Sequence, residues 1–283
     1  MKKFKFLSKI LAVLVIVPAI LLCTACGGGQ MAQEAKLAKK EFVKMNTAAE
    51  FQAEFDKIEE TDIATGYHMT MSMKMDIGDY MKFNNFYMNM YYIPGVGEEA
   101  PTIASKFDMD IAMGDEMAMT MVGTMYAVDG YSYTDAKMGT TMQGVTANVE
   151  TKTKAELGYG DADSFLEIGM MYGELSTMLE RLPEMMEAEG VEFYKSTDGT
   201  QIKIVVAPGT ELDGMVAEQV EMTIEFAEGK VTGFSMITKA TMVDGDYTAP
   251  VEMSVTLTQF TGEIEFPSFE GYTEAEEDEG FDW

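Results

Sequence analysis

Cysteine and histidine are almost missing from this 283-residue chain: the two cysteines, Cys23 and Cys26, stand close together near the N-terminus, and His68 is the single histidine. With no cysteine beyond residue 26, the body of the protein has no disulfide and no thiol nucleophile, so packing must stabilise it. Neither a Cys–His pair nor a His-rich metal centre can be assembled from this inventory. Basic residues are scarce, 20 Lys and Arg against 48 Asp and Glu, for a net charge of −28. Nucleic-acid binding rests on clustered Lys and Arg that neutralise phosphates, so nucleic acid is excluded as a partner. The acidic balance suits a solvated exterior, and an anionic membrane surface would repel it.

Long apolar runs are lacking too, except at the start. Lys2, Lys3, Lys5 and Lys9 precede Ile10 to Leu22, which is broken only by Pro18. This is the charged region and apolar region of a secretory signal, too short to span a bilayer comfortably. It ends in Leu22-Cys23-Thr24-Ala25-Cys26, followed by Gly27, Gly28 and Gly29.

That ending resembles the bacterial lipobox, with Cys23 where the pattern usually has Leu. The resemblance implies cleavage before Cys26, a diacylglyceryl group on its thiol and attachment to the extracytoplasmic face of the cell membrane. Two acyl chains, at about 0.8 kcal/mol per buried methylene, supply the double anchor that stable attachment needs. Choosing Cys23 as the modified residue would put Leu21 and Leu22 before the cut, a poor fit to the small-residue requirement. From Cys26 onward 16 basic residues face 48 acidic ones, a balance of −32.

The expected organisation is a signal peptide over residues 1–25, a lipidated cysteine and tether over 26–46, one domain over 47–273 and an acidic flexible tail over 274–283. Gly27 to Gln33 offers little to bury, and Glu274, Glu276, Glu277, Asp278 and Glu279 crowd the tail. Thr47-Ala48-Ala49-Glu50 has the form of a capping box, and Phe51, Phe55 and Ile58 follow at helical spacing. The stretch Ala35 to Met45 is compatible with an extension of that helix.

After Gly66 the period changes to two. Tyr67, Met69, Met71, Met73, Met75 and Ile77 alternate with His68, Thr70, Ser72, Lys74 and Asp76, the pattern of a strand with one dry and one wet face. The pattern returns at Phe107 to Met113, Met117 to Met125, Ile202 to Val206, Val220 to Phe226 and Val251 to Leu257. Turn signals separate the strands, among them Val128-Asp129-Gly130, Thr197-Asp198-Gly199, Ala227-Glu228-Gly229 and Val243-Asp244-Gly245. Ten or eleven strands in an antiparallel meander are expected. One helical segment, Asp161 to Glu189, interrupts them: Phe165, Ile168, Tyr172, Leu175, Leu179, Leu182 and Met186 step by three and four, Pro183 kinks it and Gly190 stops it.

Such a sheet would be about 50 Å wide, whereas a helix is about 10 Å across. Two helices cannot cover a flat apolar face of that size. Either the sheet curls into a half-barrel with the helical segment as a lid, or an apolar patch stays open for a partner; the fold class expected is α+β, a large, strongly curved antiparallel sheet, a half-barrel, with the helical segment as a lid. A curled apolar interior hosts hydrophobic ligands.

The order of helix, strand meander, helical insertion and second meander resembles the Lol-type periplasmic lipoprotein carriers and the mycobacterial lipoproteins that share their half-barrel. The resemblance covers most of the mature chain, rests on topology and anchor without a diagnostic motif, and implies binding of an acyl chain or similar lipid. It brings no catalytic residues.

Of the 28 methionines only Met1 lies in the leader, and many occupy strand positions where Val or Ile has better β-propensity. Thioethers adapt to varied apolar partners. The ligand-cavity candidates are Met69, Met71, Met73, Met75, Met109, Met113, Met117, Met119, Met121, Met222 and Met253. Plain core filling explains the same pattern. Met-x-Met runs such as Met69 to Met75, Met88-Asn89-Met90 and Met117 to Met121 also resemble the methionine motifs of copper-handling proteins, with soft ligands for Cu(I); against this, alternating methionines face the core and His68 points to the opposite face.

No enzyme is expected. His68 sits mid-strand beside no nucleophile elbow and reads as an exposed strand residue. Carboxylate pairs have too many candidates to single out, and Asp79, Asp108, Asp110 and Asp115 could form only a weak calcium site without EF-hand spacing. No cofactor or metal is expected. The expected partners are the membrane through the anchor and a lipid or other hydrophobic molecule. The alternative is an interaction module that docks on another envelope protein.

Overall fold

The computed structural model describes residues 30–58, 66–78, 80–95, 100–114, 117–157, 189–212, 215–244 and 247–274. The signal peptide, Cys26, the helical segment expected over Asp161 to Glu189 apart from its last residue, and residues 275–283 of the tail lie outside them.

Alternating sequence becomes strand along most of the described chain. A first meander comprises β2 (Tyr67–Ile77), β3 (Met81–Ile93), β4 (Thr102–Met113), β5 (Met117–Val128), β6 (Tyr131–Met142) and β7 (Val145–Glu156). A second comprises β8 (Val191–Ser196), β9 (Gln201–Val206), β11 (Met215–Ala227), β12 (Lys230–Asp244) and β13 (Tyr247–Gln259). The short β1 (Phe42–Lys44), β10 (Glu211–Leu212) and β14 (Thr273–Glu274) complete the set, with one described α-helix, α1 (Ala48–Phe55). Thus fourteen strands are described where ten or eleven were expected. The surplus is short edge strands of two or three residues, which no period can reveal.

The meanders join because β13 pairs antiparallel with β2, Met253 opposite Met73. The strand order is β1-β8-β9-β11-β12-β13-β2-β3-β4-β5-β6-β7-β14, with β10 against β11. Pairing is antiparallel throughout except for β14 beside β7, so the sheet is open, very large and curved. A sheet this wide cannot stay flat. Register shifts at Met73/Met75, Phe83/Asn85, Ala217/Gln219 and Glu225/Phe226 mark bulges, each adding local bend and twist. The turn at Asp129 and Gly130 has φ of 53° and 77°, the paired positive values of a tight hairpin that follows right-handed strand twist.

The inner face carries the main core, one apolar cluster that runs from Phe193 and Ile204 through Met222, Val255 and Met71 to Phe107 and Met121. At its β8 margin α1 seats Phe51, fully buried, with its ring 4.4 Å from that of Phe193. The N-cap half of the capping box forms, Thr47 Oγ1 accepting from the Glu50 backbone N–H at 3.1 Å, while the Glu50 carboxylate reaches one residue further back and accepts from the Asn46 N–H at 2.7 Å.

The outer face carries a second, smaller core of Met31, Tyr91, Ala104, Tyr126 and Ile264. Two terminal straps make it. Residues 30–46, placed with the tether in the sequence reading, cross the outer face instead: Met31 and Ala35 are buried, Leu37 lies over Gly233, and β1 pairs with β8. The stretch does not extend α1. Its polar backbone finds partners in the sheet, the Gln201 amide donating to the Ala38 carbonyl at 2.9 Å and Thr197 N–H to the Glu41 carbonyl. A Cβ on Gly233 would stand 2.5 Å from Leu37 Cδ2, so a side chain there would push the Leu37 side chain aside. Residues 260–274 form the other strap, with Phe266 and Phe269 against Tyr126 and Tyr133. The straps are stitched together by Gln30, whose side chain donates to the Glu263 carbonyl and accepts from the Glu265 N–H.

Candidate ligand-binding face

Side chains alternate across a strand, so a methionine at every second position places all of its thioethers on one face. Cross-strand register then aligns them between strands: Met69 with Met90, Met71 with Met88, Met73 with Met253, Met109 with Met121, Met222 with Met236. The eleven candidates named from the sequence therefore share the inner face. Their burial divides them. Met69, Met71, Met75, Met109, Met121 and Met222 are buried, and Met73, Met119 and Met253 are partly buried against the same cluster. Met113 is 37% exposed and Met117 is half-buried. These two lie at the turn between β4 and β5, where the apolar face reaches the end of the strands.

Three inner-face features were not among the candidates. Ser105, on β4, is buried between Met90 and Met125, and its hydroxyl makes no hydrogen bond to a described residue. Its only sequence signal is polarity at a position whose neighbours at two-residue spacing, Ile103 and Phe107, are apolar. Tyr67 and Tyr92 stack at 4.8 Å, and burial together with the Tyr92 neighbour pushes the Tyr67 phenol far above its ordinary range. Met142 continues the alternation of β6 from Met138 to the turn, in register with Met117.

His68 departs from expectation. It points to the outer face, as the alternation predicts, but is 7% exposed and not an open strand residue. The 30–46 strap covers it. Its Nε2 lies 2.7 Å from Asn89 Oδ1, and its ring stacks on Tyr91 at 3.9 Å and 9°. Burial pushes its pKa below the ordinary value, against the opposing hydrogen bonds to Asn89 and Gln33. Asn89, fully buried, donates through Nδ2 to the carbonyls of Met31 at 2.9 Å and Gln33 at 2.6 Å. Thr70 Oγ1 donates to Asn89 Oδ1 and accepts from the Ala35 N–H. This polar cluster is a clamp on the strap, with its hydrogen-bonding capacity committed.

Among the described residues no group of three or more His, Cys, Asp or Glu side chains could hold a metal ion. Asp108 and Asp110 occupy outer-face positions on β4, with Asn84 donating to Asp110 at 3.2 Å; Asp79 and Asp115 lie outside the described residues. A groove of about 340 Å³ at the β1 and β8 edge is lined by Lys44, Asn46, Thr47, Glu192 and Phe193. It is polar and separate from the methionine array.

No family model and no curated protein matches the chain. Among solved structures it is similar to the S-type phycobiliprotein lyase CPES from Guillardia theta, at 10% identity over 77% of this chain and 95% of that chain, with a TM-score of 0.21. At that score the two backbones diverge too far for any of the lyase's chemistry to be carried over.

Proposed function

We propose that this protein is a lipoprotein of the cell envelope, held to the extracytoplasmic face of the membrane by a lipid on Cys26, that binds a lipid or acyl chain against its methionine-rich inner face. The observation that carries the reading is the inner face itself: one apolar cluster spans β8 to β5, wider than the one described helix, α1, can cover. Thioethers lining such a face rearrange at low cost around chains of differing shape. The Ser105 hydroxyl, buried and unmatched there, is a polar anchor for an amphiphile, because a buried hydroxyl gains most from a partner that the protein does not supply. In this reading the protein binds its ligand rather than transforming it, and its single histidine serves to hold the strap. The resemblance to lipoprotein carriers points the same way.

Two measurements test the reading. Native mass spectrometry of the full chain released from detergent is expected to show a co-purified lipid, or uptake of one added fatty acid per chain. A mass that stays that of the bare protein at saturating fatty acid would overturn ligand binding. Cys26→Ala is expected to move the protein from the membrane to the soluble fraction, and retention after a high-salt wash would overturn the anchor.

A second reading has its own observation. Met142, Val145 and Val149, on the inner face of the β6–β7 hairpin, are 58%, 73% and 46% exposed, which suits docking on another envelope protein. A ligand-free homodimer or a stable heterocomplex in the same spectra would favour it.

A further inference from the structure

Most methionines of the inner face are explained by packing, but three are not. Met113 ends β4, Met117 begins β5 and Met142 ends β6, so all three stand at strand termini on the same margin of the sheet. Met113 pairs with Met117 and Met117 with Met142 in direct register. Directly opposed side chains on neighbouring strands have Cβ atoms about 5 Å apart, so three thioethers form one row on one face. They are also accessible, Met113 being 37% and Met142 58% exposed, with Met117 half-buried between them. An accessible strand position favours β-branched or polar residues over methionine, and fixing a methionine side chain costs up to about 2 kcal/mol of rotamer freedom. Three in register at an open margin therefore need a reason other than core filling.

We propose that Met113, Met117 and Met142 form a binding site for a soft monovalent cation, Cu(I) or Ag(I), held by three thioether sulfurs. Thioethers select such ions over Zn(II), Ca(II) or Mg(II), which prefer nitrogen or oxygen donors. Three torsions per side chain let the outer sulfurs lean over the central one without moving the backbone. That backbone is well held: the Gly114 N–H donates to the Tyr80 carbonyl at 3.2 Å, and Gln143 and Gly144 make a tight turn with φ of 51° and 79°. A site on the ends of rigid strands keeps its ligands in place better than one on a long loop. The objection that buried thioethers must leave the core to reach an ion does not apply at this margin. The net charge of −28 raises the local concentration of any cation. Thioethers carry no proton to displace, so affinity is the same at pH 5.5 and pH 7.5, unlike that of a site built on histidine or thiolate.

The test is titration of the full chain with Cu(I), kept reduced by ascorbate, against bicinchoninate. One Cu(I) per chain is expected, with X-ray absorption reporting sulfur neighbours only. Met→Leu keeps apolar volume; each of Met113→Leu, Met117→Leu and Met142→Leu is expected to lower the affinity at least about tenfold, as loss of a ligand should. Met125→Leu, on the buried part of the same face, is expected to leave it unchanged. No uptake against the competitor, uptake that survives the triple Leu variant with its circular dichroism unaltered, or an affinity that falls between pH 7.5 and pH 5.5 would each overturn the proposal. Ser105 lies eight residues up β4 from Met113, about 26 Å at strand spacing, so this site can fail while lipid binding stands.

Discussion

His68 Nε2 lies 2.7 Å from Asn89 Oδ1 on the outer face, and the same Asn89 side chain holds the carbonyls of Met31 and Gln33. One amide thus joins β2, β3 and the N-terminal strap, five and seven residues after the cysteine expected to carry the lipid. The only histidine is a structural ring, and the strap is fastened at its first turns.

Asn89→Ala is expected to free the strap. The change takes the Asn89 partner from the buried Met31 carbonyl, the part-buried Gln33 carbonyl and His68 Nε2, a loss of about 3 kcal/mol by the usual cost of unsatisfied buried groups. Chemical denaturation should register it, and amide exchange at residues 31–35 should accelerate more than exchange in β11. Unchanged exchange in the strap would show that its apolar contacts suffice.

The clamp should also respond to pH. Burial lowers the His68 pKa from its ordinary 6.5 in the folded protein, so the unfolded chain takes up the proton first. The contribution of the neutral ring is fully present above pH 6.5 and is lost as pH falls below it towards the folded value. Stability measured from pH 7.5 to pH 5 should fall more in the native protein than in His68→Gln, which has no proton to gain. Parallel curves for the two proteins would remove His68 as the source.

Thr47→Ala removes the oxygen that accepts the Glu50 N–H at 3.1 Å. The expected cost is about 1 kcal/mol, seen as a lowered denaturation midpoint. Because α1 seats Phe51 against Phe193, exchange should rise in α1 and β8 and stay constant in β5.

Ser105→Ala separates the packing of the inner face from ligand recognition. Removing a buried hydroxyl without a partner should stabilise the ligand-free protein by about 1 kcal/mol. If that hydroxyl meets the polar end of an amphiphile, the same variant should bind a fluorescent fatty acid about fivefold to tenfold more weakly, with affinity for a plain alkane unchanged. Equal losses for both ligands would place the polar end elsewhere.

Much of the inner face was legible before folding, since a period of two over Tyr67 to Ile77 decides which side chains share a face, whatever the strand pairs with. The N-cap at Thr47 and the hairpin at Asp129-Gly130 were legible for the same reason: their chemistry is local. The Met73 to Met253 pairing was not, because partners 180 residues apart leave no local signal. Nor was the fate of residues 30–46, whose sparse composition suggests a tether until Asn89, Gln201 and the bare backbone of Gly233 receive it. The alternation put His68 on the face opposite the methionines, yet only the strap crossing above it decided that this face is buried. In the same way alternation aligned Met113 and Met117 with the core, and only their position at the strand ends left them open to solvent beside Met142, which the β5–β6 pairing brought to the same row. Local periodicity sets the direction of a side chain, while burial depends on what arrives from elsewhere in the chain.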